Sequence, residues 1–205
     1  MNGTAVIFAC SHRARGNSDR GAALLAQGVE EAGGRAEIVP VRDFEILPCL
    51  ACQACLAHPQ HCCVLQAKDQ AEELFSRLEN APVVFFSSPI YFYHLPSRFK
   101  TWIDRGQRFW AKRQDAIPGQ LASGLLAPAR LAHVALFAGR PRGERLFEGA
   151  LVTLKFFLAN FGITLAEPLL LRGKDEPGDL AADAGAEAEL IGMGRKGWER
   201  VKPLL

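Results

Sequence analysis

The chain has 205 residues, of which 49% are hydrophobic and 22% are charged, and its net charge is +2. These values predict one globular domain over residues 1–205, with a core large enough to be stable without disulfide bonds. Lysine and arginine residues are scattered along the chain, which argues against a nucleic-acid partner. No run reaches the about eighteen apolar residues of a membrane span, and no secretory signal is recognisable. We therefore expect a cytoplasmic protein with no membrane partner, whose thiols stay reduced.

Short apolar runs alternate with longer segments of helical pattern. The predicted strands are residues 4–10, 36–41, 82–88, 131–138 and 163–171. The predicted helices are residues 18–32, 67–79, 96–112, 143–161 and 179–201, the last of which contains four glycines. Strands that are apolar throughout are typical of a parallel sheet covered on both faces. The alternation predicts a three-layer α/β fold with right-handed crossovers.

The loop after the first predicted strand reads CSHRARGNS and leads directly into a helix. The hydroxyls of Ser11 and Ser18, the amide of Asn17 and the N–H groups of a helix start can bind a phosphate dianion. Arg13 or Arg15 can add a charge-assisted contact. The motifs GxxxxGK[ST] and GxGxxG are absent from this loop, which disfavours an NTPase or a dinucleotide-binding enzyme. The alternative is a solvated loop followed by a capped helix.

The loop after the third predicted strand reads SSPIYFYHLP, with three aromatic residues between two prolines. Backbone amides there can contact the polar edge of a planar ring while apolar side chains pack beside the ring. The alternative is that the aromatic residues belong to the core or to a dimer interface. Because both loops lie at the carboxyl ends of parallel strands, they suit a mononucleotide with a flat heterocycle, such as FMN.

Four short segments occur in a recognisable order and spacing. They are Ser11-x-Arg13-x-x-Gly16-Asn17-Ser18, Pro48-Cys49-x-x-Cys52-x-x-Cys55, Ser88-Pro89-Ile90-Tyr91-Phe92 and Phe99-Lys100-x-x-Ile103-Asp104-Arg105. Together they resemble the flavodoxin-like NADPH-dependent FMN reductase family, most closely its iron–sulfur flavoprotein branch, over about residues 4–165. The resemblance implies a three-layer flavodoxin-like fold with a five-stranded parallel sheet in the order 2-1-3-4-5. It also implies FMN bound without a covalent bond.

The resemblance further implies which residues form the flavin site. The phosphate would be held by Ser11, Arg13, Asn17 and Ser18. The isoalloxazine ring would be lined by Pro89, Ile90, Tyr91 and Phe92. The loop 139–143, which begins at Gly139, would close over the ring.

Five of the six cysteines lie close together in the chain. Cys49, Cys52 and Cys55 form a CxxCxxC run that can place three thiolates around one metal centre. Either Cys62 or Cys63 can supply the fourth ligand of a 4Fe–4S cluster. The resemblance favours Cys63.

Three alternatives remain for this cysteine-rich loop, residues 48–63. A zinc ion can be bound by cysteines together with His58 or His61. A reversible disulfide can form among the first three cysteines. The thiols can also be reduced and simply pack as small apolar groups.

These observations predict an FMN-dependent oxidoreductase of the NAD(P)H-dependent FMN reductase type. A hydride would pass from NAD(P)H, a transient co-substrate, to flavin N5, and electrons would then pass to an unknown acceptor. Because the cofactor carries this chemistry, no catalytic side chain is predicted. The alternative is an iron–sulfur flavoprotein that carries electrons between a ferredoxin-like partner and FMN without hydride transfer. A weaker alternative is a metal-binding structural domain without flavin.

The resemblance also implies a homodimer or homotetramer. Aromatic side chains are the candidate interface residues, namely Phe92, Tyr93, Trp102 and Trp110. Asp104 and Arg105 are predicted to have a structural role, as an ion pair on the surface of their helix.

Overall fold

The computed structural model describes residues 3–115 and 130–202. In these ranges the strands are β1 Ala5–Ala9, β2 Ala36–Pro40, β3 Val84–Pro89, β4 Arg130–Ala138, β5 Ile163–Leu165 and β6 Leu169–Arg172. The α-helices are α1 Asn17–Glu31, α2 Ala54–Ala57, α3 Ala71–Asn80, α4 Ser97–Arg105, α5 Gln107–Asp115, α6 Glu148–Ala159 and α7 Ala184–Val201. A 3-10 turn, Val41–Asp43, follows β2. Among these helices, none is both long enough and apolar enough to cross a membrane.

The strands form one parallel sheet in the order β2-β1-β3-β4-β5, with β6 also paired to β4. All ladders are parallel, and β1 and β3 are central. All residues of β1 are buried, as expected for a strand covered on both faces. β2 lies at the edge, where Pro40 can be accommodated because a missing N–H breaks no inner ladder. The predicted fold class and strand order are confirmed.

The fifth position of the sheet differs from the prediction of one strand over residues 163–171. Two short strands lie there in succession along the same side of β4. Between them β4 advances three residues, from Ala132 to Ala135, while the paired chain advances four, from Leu165 to Leu169. The extra residue is a bulge, and Pro168 next to it has no N–H for the ladder. The apolar pattern of residues 163–171 did not indicate this interruption.

Two further boundaries differ from the predictions. The predicted helix 96–112 is divided into α4 and α5 at Gly106, where a Cβ would lie 2.8 Å from the Ile103 carbonyl oxygen. The predicted helix 143–161 begins only at Glu148. Before it, Gly143 has φ +144° and Arg145 has φ +56°, which are values outside the right-handed helical region.

Two apolar layers cover the sheet, one on each face. On one face, Phe8 and Phe86 pack with Phe75 of α3, Trp102 of α4 and Phe157 of α6. The other face is covered by α1 and α7. The Trp102 side chain is fully buried, with its ring 4.9 Å from that of Phe8 between centroids. Trp102 therefore belongs to the core, one of the two roles that its helical spacing allowed, rather than to a subunit interface.

Helices α1 and α7 pack backbone against backbone. A Cβ on Gly194 would lie 2.1 Å from the carbonyl oxygen of Leu25, and one on Gly28 would lie 2.0 Å from that of Ile191. Glycines at these two positions thus allow a close approach that any side chain would block. This contact explains why a helix with four glycines is stable, despite the low helix propensity of glycine. It also fixes α1, whose first turn faces the candidate site.

Candidate functional site

Three loops lie at the same edge of the sheet, because they follow the carboxyl ends of neighbouring parallel strands. They are the β1 loop, residues 10–16, the β3 loop, residues 90–96, and the β4 loop, residues 139–147. In open parallel sheets this edge, where the strand order reverses, is the usual place for a ligand. The cysteine loop, residues 48–63, follows β2 and its 3-10 turn.

The β1 loop and the start of α1 bring buried polar residues together. Ser11, Asn17 and Ser18 are all buried there. The Ser11 hydroxyl accepts a hydrogen bond from the Arg13 N–H at 3.1 Å. The residue before α1 is Gly16, which has no side chain that could cap the helix. The N–H groups of the first turn are therefore oriented for an anion, as at other phosphate-binding helix starts.

The Asn17 side chain has a different role from the predicted phosphate contact. Its Nδ2 donates to the carbonyl oxygen of Glu176 at 2.9 Å, and its Oδ1 accepts from the N–H of Leu180 at 3.2 Å. Both ends of the amide are therefore engaged by residues 174–180, which we call the bridging segment. The main-chain N–H is the group that Asn17 can offer to an anion.

The bridging segment joins the β1 loop to the β4 loop. Arg13 donates from Nη2 to the carbonyl oxygen of Asp175 at 2.8 Å. The N–H of Lys174 donates to the carbonyl oxygen of Ala138 at 3.0 Å. A Cβ on Gly139 would lie 2.9 Å from the Asp175 carboxyl carbon. Gly139 and Arg13, both predicted as flavin contacts, therefore meet the same segment.

The β3 loop contains a tight two-residue turn. Tyr91 and His94 exchange two backbone hydrogen bonds of 2.9 Å. Between them, Phe92 and Tyr93 have φ values of +48° and +64°. Such turns normally use glycine or asparagine, and each left-handed residue with a side chain costs about 1 kcal/mol. The strain marks this turn as a functional candidate.

The three aromatic side chains of the β3 loop are exposed to solvent. Phe92 is fully exposed to solvent, and Tyr91 and Tyr93 are half-exposed, so they are not core residues. The Tyr93 hydroxyl accepts from Arg140 Nη1 at 2.8 Å, which connects the turn to the β4 loop. Pro89 ends β3, and the Ile90 N–H donates to a carbonyl of β4, so it is not free for a ring.

The cysteine loop surrounds a cavity of about 580 Å³. The residues that line it include Cys49, Cys52, Cys55 and Cys63. Cys62 does not line this cavity; its sulfur faces the carbonyl oxygen of Gln60 at 3.9 Å. All six cysteines of the chain are free thiols. Cys63, the predicted fourth ligand, therefore lines the cavity, whereas the adjacent Cys62 does not.

The backbone of the cysteine loop is held in an uncommon conformation. Ala51, Gln53 and His61 have φ between +51° and +57°, in the left-handed region. Burial, partly offset by a main-chain hydrogen bond, raises the pKa of the Cys55 thiol, and the charges of three other cysteines in the loop raise it further. Negative charge on any of the other three sulfurs therefore disfavours ionisation of Cys55.

The described side chains do not form a site for a single metal ion. Within residues 3–115 and 130–202, no three Cys, His, Asp or Glu side chains are close enough to bind one metal ion. Tetrahedral zinc would need four ligands at about 2.0–2.3 Å. His61 is also engaged, because its Nδ1 lies 3.0 Å from the Cys55 carbonyl oxygen and its Nε2 lies 3.3 Å from Asp115. A cubane cluster takes one cysteine at each iron, so its ligands can stand around a larger volume.

The buried position of Arg105 was not predicted from the sequence. Instead of pairing with Asp104 on the helix surface, it forms a buried ion pair with Asp69 and lines the cysteine cavity. Asp104 pairs with Lys100 at 2.5 Å. The motif Ile103-Asp104-Arg105 draws attention to Arg105 in the sequence. Its partner Asp69 could not be inferred from that motif, because it lies 36 residues away in the chain.

Comparison with known proteins agrees with this arrangement. A protein family described as NADPH-dependent FMN reductase matches residues 4–140, which is more than half of the chain. An iron–sulfur flavoprotein of Archaeoglobus fulgidus is 29% identical over 84 residues, covering 41% of this chain and 39% of that protein. Another, from Methanocaldococcus jannaschii, is 24% identical over 116 residues, covering 56% of this chain and 58% of that protein.

Solved structures agree on the fold. A flavone reductase superimposes with a TM-score of 0.72 at 15% identity, over 98% of this chain and 64% of that one. At this identity the likeness concerns the architecture alone. The chain spans about half the length of the two relatives it matches. The family match and the architecture together mean that the chain belongs to the NADPH-dependent FMN reductase family.

Proposed function

We propose that the protein is an FMN-dependent oxidoreductase that oxidises NAD(P)H and passes the electrons to a further acceptor. The observation that carries the proposal is the uncapped start of α1 at Gly16, with the buried hydroxyls of Ser11 and Ser18 beside it. When bound, FMN would supply the redox chemistry between NAD(P)H and the acceptor, and the protein would supply binding and orientation. Membership of an NADPH-dependent family supports NADPH as the donor.

The residues of this chain bind and orient. The N–H groups of the first turn of α1 and the hydroxyls of Ser11 and Ser18 would hold the phosphate, and the Arg13 guanidinium would add charge. Asn17 would hold the bridging segment in place beside them. The β3 and β4 loops, joined by the contact from Arg140 to Tyr93, would flank the ring and limit access of water.

Anaerobic mixing with NADPH tests the proposal. We expect the flavin absorbance of the FMN-loaded chain to bleach after NADPH is added. The physical reason is that the exposed β3 turn would leave one face of the ring accessible to a nicotinamide. Flavin that stays oxidised with NADPH, yet is bleached by reduced ferredoxin, would favour the electron-carrier alternative.

A second activity is proposed from the cysteine cavity. We propose a 4Fe–4S cluster bound by Cys49, Cys52, Cys55 and Cys63, which relays electrons between FMN and a ferredoxin-like partner. The shared cavity supports it, and the names of the two relatives point in the same direction.

Replacing Cys62 and Cys63 one at a time tests which of the two is the fourth cluster ligand. We expect Cys63→Ser to lose most of its iron, because it removes a thiolate that faces the cavity. Cys62→Ser is the matched control and should keep about four irons per chain, the content expected of the wild-type chain. The measurement is an iron assay and a visible spectrum after anaerobic purification. Equal iron in the two variants, or loss only from Cys62→Ser, would contradict the assignment.

Self-association is part of the same proposal. Phe92 is fully exposed, and Trp110, Val152 and Phe156 are exposed apolar side chains on α5 and α6. Burying such side chains in a homodimer or homotetramer would remove apolar surface from water. A cytoplasmic location, where six free thiols stay reduced, is proposed on the basis of the cysteines.

A further inference from the structure

Arg105, at the end of α4, is held rigidly beside the cysteine cavity. The Arg105 side chain is 1% exposed and that of its partner Asp69 is 0% exposed. Arg105 Nη1 donates to the Asp69 carboxylate and to the carbonyl oxygen of Leu47, the latter at 3.1 Å. Asp69 in turn accepts from the N–H groups of Leu47 at 2.8 Å and Ala71 at 3.2 Å. These contacts fix the guanidinium to Leu47, which precedes the cysteine loop, and to Asp69, which precedes α3.

Two of the three guanidinium nitrogens have no partner among the described residues. Nε and Nη2 of Arg105 are buried and make no hydrogen bond there. A buried charged group whose donors lack acceptors is costly, so such donors usually mark a ligand. Cys63 and Arg105 line the same cavity, so the Cys63 sulfur is a candidate acceptor for these donors.

Arg108, one turn further along the chain, shows what a purely structural arginine does here. It lines the same cavity. Its Nε and Nη2 both donate to the Glu72 carboxylate, and its guanidinium lies 3.9 Å from the centre of the Phe109 ring. The same two nitrogens are thus satisfied in Arg108 and unsatisfied in Arg105.

We propose that Arg105 is the positioning residue of the cysteine site, donating N–H hydrogen bonds from Nε and Nη2 to the cluster ligand Cys63. This inference rests on the proposed 4Fe–4S cluster. The guanidinium selects Cys63 over Cys62 and offsets part of the negative charge of four thiolates. Reduction adds one electron to the cluster, so a nearby cation and N–H donors stabilise the reduced form and raise the reduction potential.

The experiment compares Arg105→Lys with Arg108→Lys in the full chain, loaded anaerobically with iron and sulfide. Lysine keeps a positive charge for Asp69 but lacks the planar fork of donors. Midpoint potentials are measured by reductive titration with dithionite, and iron loss is measured with a chelator. We expect Arg105→Lys to shift the potential to a more negative value. We also expect it to lose iron about tenfold faster, as when other metal ligands lose their hydrogen-bond partners.

The control and a second measurement make the outcomes decisive. Arg108→Lys should keep the wild-type potential and iron-loss rate. Arg105→Lys with both wild-type values, in a chain that holds iron, would overturn the inference. If that variant does not fold, pulsed EPR of the reduced wild-type cluster with ¹⁵N-arginine should show a nitrogen coupling that persists in Arg108→Lys. Absence of that coupling would overturn the inference, whereas a wild-type chain that takes up no iron would overturn the cluster and the inference together.

Discussion

Gly194→Ala is expected to lower the free energy of unfolding by about 2–3 kcal/mol, even though alanine is the better helix former. Its Cβ would lie 2.1 Å from the carbonyl oxygen of Leu25, so α7 would have to move away from α1. Because main-chain atoms of both helices meet there, no side chain can rotate to relieve the contact. In a domain of this size the expected decrease of the melting temperature is about 5–10 °C. Thermal and urea unfolding followed by circular dichroism measure it.

Gly192→Ala is the matched control in the same helix. Among the described residues, no atom outside its own stretch of helix lies within 4 Å of the position that its Cβ would take. We therefore expect this change to be neutral or to stabilise by up to about 1 kcal/mol through helix propensity. Equal stabilities of the two variants would contradict the close packing of α1 and α7.

Asn17→Ala is expected to weaken FMN binding about tenfold and to lower stability by about 1–3 kcal/mol. The change removes both side-chain hydrogen bonds that hold the bridging segment, at 2.9 Å to Glu176 and 3.2 Å to Leu180. The segment would then have to be ordered during binding, and that cost reduces the affinity. Titration of the variant with FMN, followed by the quenching of flavin fluorescence, gives the dissociation constant.

Asn80→Ala serves as the control for this loss. Asn80 also donates from Nδ2, to Ser76 of its own helix, but it lies on the exposed surface of α3. We expect its FMN affinity to be unchanged and its stability to change by at most about 0.5 kcal/mol. Wild-type FMN affinity in Asn17→Ala would show that the bridging segment does not support the site.

The sheet could be predicted from sequence because its strands are short, apolar and separated by helical patterns. The predicted strand 4–10 corresponds to β1, and the order of the five positions followed from the resemblance. The interruption between β5 and β6 could not be predicted, since a bulge depends on the register against β4. The break at Gly106 depends in the same way on a contact with Phe157.

The candidate site could be predicted at the level of loops but not at the level of individual contacts. Local motifs drew attention to Ser11 and Ser18, which are buried, and to Cys63, which lines a cavity. Asn17 and Arg105 acquired their roles from partners far along the chain. Asn17 contacts residues more than 150 positions away, and Arg105 pairs with Asp69. Side-chain burial and long-range pairing result from the packing of the whole chain. A local sequence pattern therefore does not reveal them.

The most direct measurement is a comparison of FMN with riboflavin, which lacks the phosphate, in titrations of the isolated chain. If the first turn of α1 binds that phosphate, charge-assisted hydrogen bonds should make FMN bind about 100-fold more tightly or better. Fluorescence quenched by stoichiometric FMN and barely changed for riboflavin is the expected result. Equal affinity for the two flavins, or no quenching by either, would contradict the assignment of the β1 loop as a flavin phosphate site.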